Sequence, residues 1–361
     1  MTRRRGLAGL FLALLATACG SGQPGQPRHG GDHKPPVKLA QGGTTVVAES
    51  STRTSGAGGG TSGSKTLGRP QALVTDEAQN RVLVVDLPSG RLARRASLPP
   101  DPEDIASTGT NGVVVVVSTR MGKVVVLRRS TLRRLKTFGG FDHPHIVGIS
   151  PDDRYAYVTD DSTGTLAAIR LEDLRVTRRL SVGAGAHHLT FSPSERRVWV
   201  ALGESARVIT IVSTVVMGRP HVVGHFVPGF PVHDLAFSPN GQRVWITSAA
   251  GPDVTVFSVR SRRAVFHVPV GAPPQHLAFA GHYVYATSGY GSRIERIDAA
   301  TGRVVDRATS PYGSFELSVA DGYVATVSLL RGTIAIYTPR LRLLRVTHLA
   351  PATREVAISR P

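Results

Sequence analysis

One phrase returns along the chain: HIVGISPDDRYAYVTD from His145, HLTFSPSERRVWVAL from His188 and DLAFSPNGQRVWITS from Asp234. The Ser-Pro pairs at 150, 192 and 238 set these copies 42 and then 46 residues apart, a period that suits four-stranded propeller blades. A repeat of this length constrains the fold strongly, because one unit cannot bury its apolar face alone and must stack on the next. Within the clearest unit, DLAFS, RVWITS, DVTVFSV and RAVFHVPVG follow one another between Pro, Gly, Asp and Asn. Such short runs, alternating or continuous, read as strands separated by turns. No segment keeps the spacing of three and four that a useful amphipathic helix needs.

Weaker copies begin with PQHLAFAGHYVYATSG from Pro274, SFELSVADGYVATVS from Ser314, EDIAST from Glu103 and ALVTDEAQNRVLVVD from Ala72. First strands start near Asp104, Ile146, His188, Asp234, His276, Glu316 and Glu355, which makes seven. The array enters on a second strand (ALVTD) and leaves on a first-type strand, REVAIS from Arg354 to Ser359. The expected fold is all-β: a seven-bladed β-propeller over residues 67–361, closed by pairing of its N- and C-terminal strands.

Tyr157-Val158-Thr159-Asp160, Val244-Trp245-Ile246-Thr247 and VPVGAPPQHLAF from Val268 resemble the repeat of the YVTN-type propellers, over residues 70–360. That resemblance implies the seven-bladed ring. It leaves function open, because the family includes surface-layer proteins, binding proteins and lactonase-like enzyme domains.

Ahead of the repeats, Arg3, Arg4 and Arg5 precede an apolar run from Leu7 to Ala18 that ends at Cys19. Charge before a short apolar stretch is a secretory signal, too short to span a bilayer. Ala16, Thr17, Ala18 and Cys19 resemble a bacterial lipobox, which implies lipidation of Cys19 and anchoring to the outer face of the cytoplasmic membrane. Residues 1–19 are therefore read as a lipoprotein signal, and residues 20–66, rich in Gly, Ser, Thr and Pro, as a flexible tether. Cys19 is the only cysteine, so neither disulfides nor cysteine metal sites are open to this chain.

Aligning the repeats stacks titratable groups at the start of the innermost strand: Asp104 after Glu103, His145, His187 with His188, His233 with Asp234, His276, Glu316 and Glu355. In a propeller this strand lines the central channel, so these residues are expected to ring a polar, ligand-binding mouth. Four of them, His145, His188, His233 and His276, are imidazoles from different blades and suit copper, zinc or nickel. The pair His187-His188 resembles the channel histidines of nitrous oxide reductase, although three of the seven blades carry carboxylates here. Large rings at Tyr157, Trp199, Trp245 and Tyr285 share one register of the second strand and are expected to fill the joints between blades.

The chain carries 43 Lys and Arg against 25 Asp and Glu, a net charge of +18. Such a field favours anionic partners without specifying a fold. Arg154, Arg196, Arg197 and Arg243 lie near first-to-second turns, and Arg262 and Arg263 lie at a third-to-fourth turn. Strand direction puts both turn types on one face, opposite the histidines. The reading drawn from the sequence is a non-catalytic, extracytoplasmic binding or scaffold lipoprotein with no required cofactor. Its basic face would meet anionic lipid, cell-wall polymer or an envelope protein. The alternatives are a channel-site metalloprotein or lactonase-like hydrolase using the His, Asp and Glu ring, and single-stranded nucleic-acid binding by the basic face.

Overall fold

The computed structural model describes residues 69–359 apart from 194–195, 204–205, 217 and 274. The signal, Cys19 and the tether expected over residues 1–66 lie outside the described residues. Among the described residues are 28 strands and no helix, hence no helix long and apolar enough to cross a membrane. The strands form seven antiparallel sheets of four. We number the blades by their innermost strand: Thr353–Ser359 in blade 1, Pro102–Ser107 in blade 2, Pro144–Ile149 in blade 3, Leu189–Ser192 in blade 4, Val232–Phe237 in blade 5, Gln275–Ala280 in blade 6 and Ser314–Ala320 in blade 7.

Blade 1 is built from both ends of the array, with Thr353–Ser359 paired antiparallel to Gln71–Asp76, Ala72 opposite Ile358 and Leu73 opposite Ala357. Each innermost strand lies beside that of the next blade, and the strand of blade 7 beside that of blade 1. The seven-bladed ring expected from the repeats is therefore closed as anticipated.

Apolar side chains gather between blades rather than within them. Tyr157 of blade 3 packs with Leu189, Phe191 and Val198 of blade 4. Trp199 of blade 4 meets Phe237 and Val244 of blade 5, and Trp245 of blade 5 meets Leu277 and Val284 of blade 6. Tyr285 of blade 6 closes on Leu317 and Val324 of blade 7. These four rings are buried, as expected for the register they share. The other joints are aliphatic, such as Val115 and Val126 of blade 2 against Val147 and Val158 of blade 3. Because every blade has a neighbour on each side, second strands lose their alternation: Val113–Ser118 (VVVVVS) is buried at each position, the pattern of a strand covered on both faces. Outer strands such as Arg91–Ser97 are largely exposed and carry the arginines.

Two sets of β-bulges recur. Each of the seven pairings between third and fourth strands shifts register once, which adds twist at the rim. The second set sits near the start of the innermost strand in blades 1, 2, 3, 5 and 7. In blade 5, Val232 stands opposite Ser248 and Leu235 opposite Ile246, so three steps answer two. An extra residue leaves a backbone N–H without a ladder partner. A second-strand threonine takes it: Asp234 N donates to Thr247 Oγ1 (2.8 Å), Ile146 N to Thr159 Oγ1 (3.1 Å) and Glu355 N to Thr75 Oγ1 (2.9 Å). The threonine of the Tyr-Val-Thr phrase thus has a structural task, which is to satisfy the bulge beside the axis.

Thr247→Val keeps the shape but withdraws the acceptor, leaving the Asp234 N–H buried and unpaired. The expected loss of unfolding free energy is about 1–3 kcal/mol, read by urea denaturation. A variant as stable as the parent would show that the bulge does not depend on this hydroxyl.

Candidate metal centre

In a regular strand, consecutive side chains point to opposite faces. In blades 1, 2, 3, 5 and 7 the inner-strand bulges suspend that rule where the titratable residues sit. All nine groups expected around an open mouth are buried: His188, His233, His276 and Glu355 are 0 % exposed, Asp104, Asp234 and Glu316 1 %, His145 3 % and His187 7 %. The polar groups expected to ring a ligand-binding mouth are thus closed to solvent in this structure. The seven inner strands stand close enough for their own side chains to fill the axis, as in the smaller closed barrels.

The aspartates join blades. Asp104 accepts from Ile105 N (2.8 Å) with one oxygen and from Val147 N of the next blade (2.5 Å) with the other. Asp234 does the same with Leu235 N (2.7 Å) and, across the joint, Leu277 N (2.9 Å). Glu355 Oε1 accepts Val356 N (2.9 Å), and Ile358 N of the same strand donates to Ser318 Oγ of blade 7 (3.0 Å). Read from the sequence as ligand groups, Asp104 and Asp234 have both oxygens engaged by backbone donors. Their first role is to clip neighbouring inner strands together.

The five histidines form a continuous chain across blades 3 to 6. His145 and His187 stack at 3.9 Å between ring centroids, His187 lies 4.8 Å from His188, His188 4.8 Å from His233, and His233 4.7 Å from His276. Two triads result, His145–His187–His188 and His188–His233–His276, each with its potential ligand atoms within 4.8 Å of one another. A tetrahedral ion with metal–nitrogen bonds of about 2.0–2.1 Å separates its ligands by about 3.3–3.4 Å, within reach of small side-chain shifts. The sequence marked His145, His188, His233 and His276 as the metal set; the structure places all four in the triads and adds His187.

The second shell differs between the triads. His187 Nδ1 lies 2.8 Å from Asp161 Oδ2, and His145 Nδ1 3.0 Å from Glu103 Oε2. Glu103 also accepts Thr119 Oγ1 (2.6 Å) and faces Arg354 Nη2 (3.4 Å), whose other nitrogen is 3.5 Å from Glu77. At the other end, His233 Nε2 and His276 Nε2 share a hydrogen bond of 3.0 Å, and Glu316 Oε1 is 3.3 Å from His276 Nε2. Neither ring nitrogen of His188 has a hydrogen-bond partner; the nearest carboxylate oxygen to Nδ1 is that of Asp234, at 3.4 Å. Asp161, Thr119 and Glu77 were not visible as site residues in the sequence. Asp161 follows the second strand of its blade, outside the aligned column, and only the fold carries it to the axis.

Burial and neighbouring imidazoles hold His188 and His276 well below the ordinary histidine range, and burial with His187 depresses His145. These rings are neutral, the state a metal ligand must have. Burial opposes the charge of Glu103, but Arg354 and His145 outweigh it and keep this carboxyl far below the usual range. At Asp161 burial is likewise outweighed, by His145 and His187. Burial pushes Asp104 up to about 7. Burial, then Asp234, raises Glu316 well above the ordinary carboxyl range, and burial, then Glu316, raises Glu355 likewise, so these two carboxyls hold protons.

On the opposite face, Arg154, Arg196, Arg262 and Arg263 are exposed, while Arg197 and Arg243 are half-buried. Arg243 differs from the expectation of a group turned to an anionic partner. Its guanidinium donates to Ala299 O (2.9 Å) and Ala300 O (2.8 Å) of blade 6, a bond between blades.

The depressed histidines set the sign of one pH effect. Below pH ~6.5 the unfolded chain takes up protons at these rings that the folded chain refuses. Stability from this source is full above ~6.5 and falls as the pH drops. Asp104, Glu316 and Glu355 act oppositely, since their folded forms keep protons that the unfolded chain loses above ~4. His188→Asn removes one histidine from the balance. The metal-free variant should lose stability on acidification from pH 6.5 to 5 less steeply than the parent, by up to about 1.4 kcal/mol per pH unit. Parallel urea curves in EDTA check this; identical slopes would mean that His188 is protonated in the folded core.

No protein-family model matches the chain, and no curated protein matches it in sequence. Among solved structures, a functionally unknown protein from Desulfotomaculum acetoxidans DSM 771 superposes with a TM-score of 0.70 at 15 % identity, covering 81 % of this chain and 99 % of that one. Apo AztD from Citrobacter koseri gives 0.63 at 10 % identity, covering 81 % and 98 %. Dihydro-heme d1 dehydrogenase NirN in complex with DHE gives 0.59 at 14 % identity, covering 78 % and 64 %. At these identities the likeness concerns the fold alone.

Proposed function

We propose that the protein is a non-catalytic, metal-binding propeller of the cell envelope, holding one borderline divalent ion, zinc, copper or nickel, on its axial histidines. The observation that carries this reading is the pair of buried imidazole triads meeting at His188, whose two ring nitrogens lack hydrogen-bond partners. A buried polar atom without a partner is costly, and five imidazoles drawn from successive blades have a use when their lone pairs converge on an ion. Carboxylates behind His145 and His187 supply the second shell that orients metal-bound histidines.

Burial also argues against the hydrolase reading. His188, His233 and His276 are 0 % exposed, so a substrate would have to enter a closed core. A metal ion needs a far narrower entry path than an organic substrate. The lipobox at Cys19 supports an outward-facing, lipid-anchored location. The exposed arginines on the face away from the histidines support an anionic lipid surface as the neighbour.

The metal reading is tested with untagged chain from Gly20 onward, in which His29 and His33 are replaced by Ala so that the tail offers no imidazole. After exposure to zinc, copper or nickel and exhaustive dialysis, elemental analysis should find one ion per chain, with none in His188→Ala of unchanged circular dichroism. Metal-free parent protein after each exposure would end the proposal. For the basic face, replacing Arg196, Arg262 and Arg263 by Glu should abolish low-salt sedimentation with phosphatidylglycerol vesicles. Undiminished binding would remove lipid as the partner.

A further inference from the structure

On the arginine-bearing face, the joint between blades 3 and 4 differs from that between blades 5 and 6. In blade 5 the first residue of the second strand, Arg243, crosses the joint and donates to Ala299 O and Ala300 O, in the third-to-fourth-strand turn of blade 6. In blade 3 the same place is held by a shorter side chain, Tyr155. Between it and the third-to-fourth-strand loop of blade 4 lies a cavity of about 340 Å³, lined by Tyr155, Arg170, Arg175, Thr177, Gly218 and Arg219. We propose that this cavity binds a phosphate group with a hydroxyl beside it, either free in solution or on a phospholipid headgroup. The site is separate from the axial histidines and stands whether or not they hold a metal.

The floor of the cavity holds a donor in reserve. Tyr155 is only 3 % exposed, and its ring packs in the apolar joint with Leu189 and Phe191. Its backbone N–H is taken by Ser150 Oγ (2.9 Å), but its hydroxyl has no hydrogen-bond partner among the described residues. A Cβ on Gly218 would lie 2.9 Å from that hydroxyl and 3.3 Å from Thr177 Oγ1, so both oxygens border the same space over the glycine. Gly218 is buried and stands at φ +71°, where glycine is favoured. Leaving a buried polar group unpaired is costly, and here the phenol is kept uncovered at a place where any side chain would cover it.

The walls carry the charge. Arg175 and Arg219 are exposed, and among the described residues neither side chain makes an ion pair or a hydrogen bond. Arg170 already holds Asp173, through Nε (2.8 Å) and Nη2 (2.5 Å). Three guanidinium groups against one carboxylate leave an excess of two positive charges. That excess suits a phosphate monoester, which carries roughly −1.5 to −2 at pH 7. Guanidinium forks match phosphate oxygens in geometry as well as in sign.

Thr177 narrows the ligand further. Its Oγ1 donates to Ala168 O (3.2 Å), so towards the cavity it offers only lone pairs. The floor thus pairs a donor, Tyr155, with an acceptor, Thr177, and calls for an anion that has an O–H of its own. Inorganic phosphate keeps one at neutral pH, and glycerol phosphate has the alcohols of its polyol. Sulfate has none. Val215 and Val216, on the same loop as Gly218, are 56 % and 53 % exposed. A headgroup in the cavity would bring these two apolar side chains to the bilayer surface; a soluble ligand would leave them idle.

Two assays on the chain from Gly20 onward, both in EDTA, test the site and separate the two sources. Calorimetric titration with glycerol 3-phosphate should find one site per chain, with sulfate at least ~10-fold weaker because it leaves Thr177 without a donor. Tyr155→Phe, Arg175→Gln and Arg219→Gln, each with unchanged circular dichroism, should weaken binding at least ~10-fold, as expected for hydrogen bonds to a charged group. Gly218→Ala should abolish it. The second assay is low-salt sedimentation with phosphatidylglycerol vesicles. A fall in Tyr155→Phe and in the double variant Val215→Ser, Val216→Ser identifies the headgroup as the source; loss of glycerol phosphate with parental sedimentation identifies a soluble ligand. Tyr155→Phe behaving as the parent in both assays, or sulfate binding as tightly as the phosphate, would overturn the proposal. Neither result bears on metal retention or on the variants of Arg196, Arg262 and Arg263.

Discussion

The axis of this propeller exists because Thr353–Ser359 pairs with Gln71–Asp76. Every other blade is made from consecutive chain, and each joint between blades is an apolar contact that leaves an open array free to fray at its ends. Pairing the last strand of the array with the first converts seven separate joints into a ring, with no end blade left half-covered. It also places Arg354 and Glu355 among groups more than 200 residues distant in sequence: Arg354 against Glu77 and Glu103, Glu355 on Thr75. The electrostatics of the centre depend on that closure, because Arg354 is what keeps Glu103 ionised behind His145.

Within the ring, the inner-strand bulge and its threonine connect the repeat to the site. A flat inner strand would send every second side chain away from the axis. One extra residue near its start lets consecutive groups such as His233 and Asp234 both reach the interior with different tasks, one among the imidazoles and the other as a clip to the next blade. The threonine that makes this affordable belongs to the same repeat, so scaffold and centre share one device.

The centre itself is divided electrically. Around Glu103 and Asp161 the carboxyls are ionised, held by Arg354 and by histidines; around Glu316 and Glu355 they are protonated, because burial and neighbouring acids raise them. A buried polar network is stable when every member finds a partner. Two of its imidazoles, His145 and His188, have no hydrogen bond at either ring nitrogen, and of these His188 lies at the junction of the two triads. That is why the functional reading turns on this one ring.

The repeat period, the seven inner-strand starts and the offset ends of the array were legible in the sequence, because each blade is a local unit whose strands and turns are written in consecutive residues. So were the rings at Tyr157, Trp199, Trp245 and Tyr285, which recur in one register. The column of His, Asp and Glu at the start of the inner strand was equally visible, for alignment of repeats finds what duplication repeats. What these groups do with one another was not. Whether the axis is open or filled depends on how closely seven strands approach, a property of the closed ring and of no single blade. The clip role of Asp104 and Asp234, the bond of Arg243 to blade 6, and the arrival of Asp161 and Arg354 beside the histidines are contacts between blades. Only the tertiary structure decided them, because burial, proton state and ligand geometry are set by neighbours that the chain brings together after it has closed.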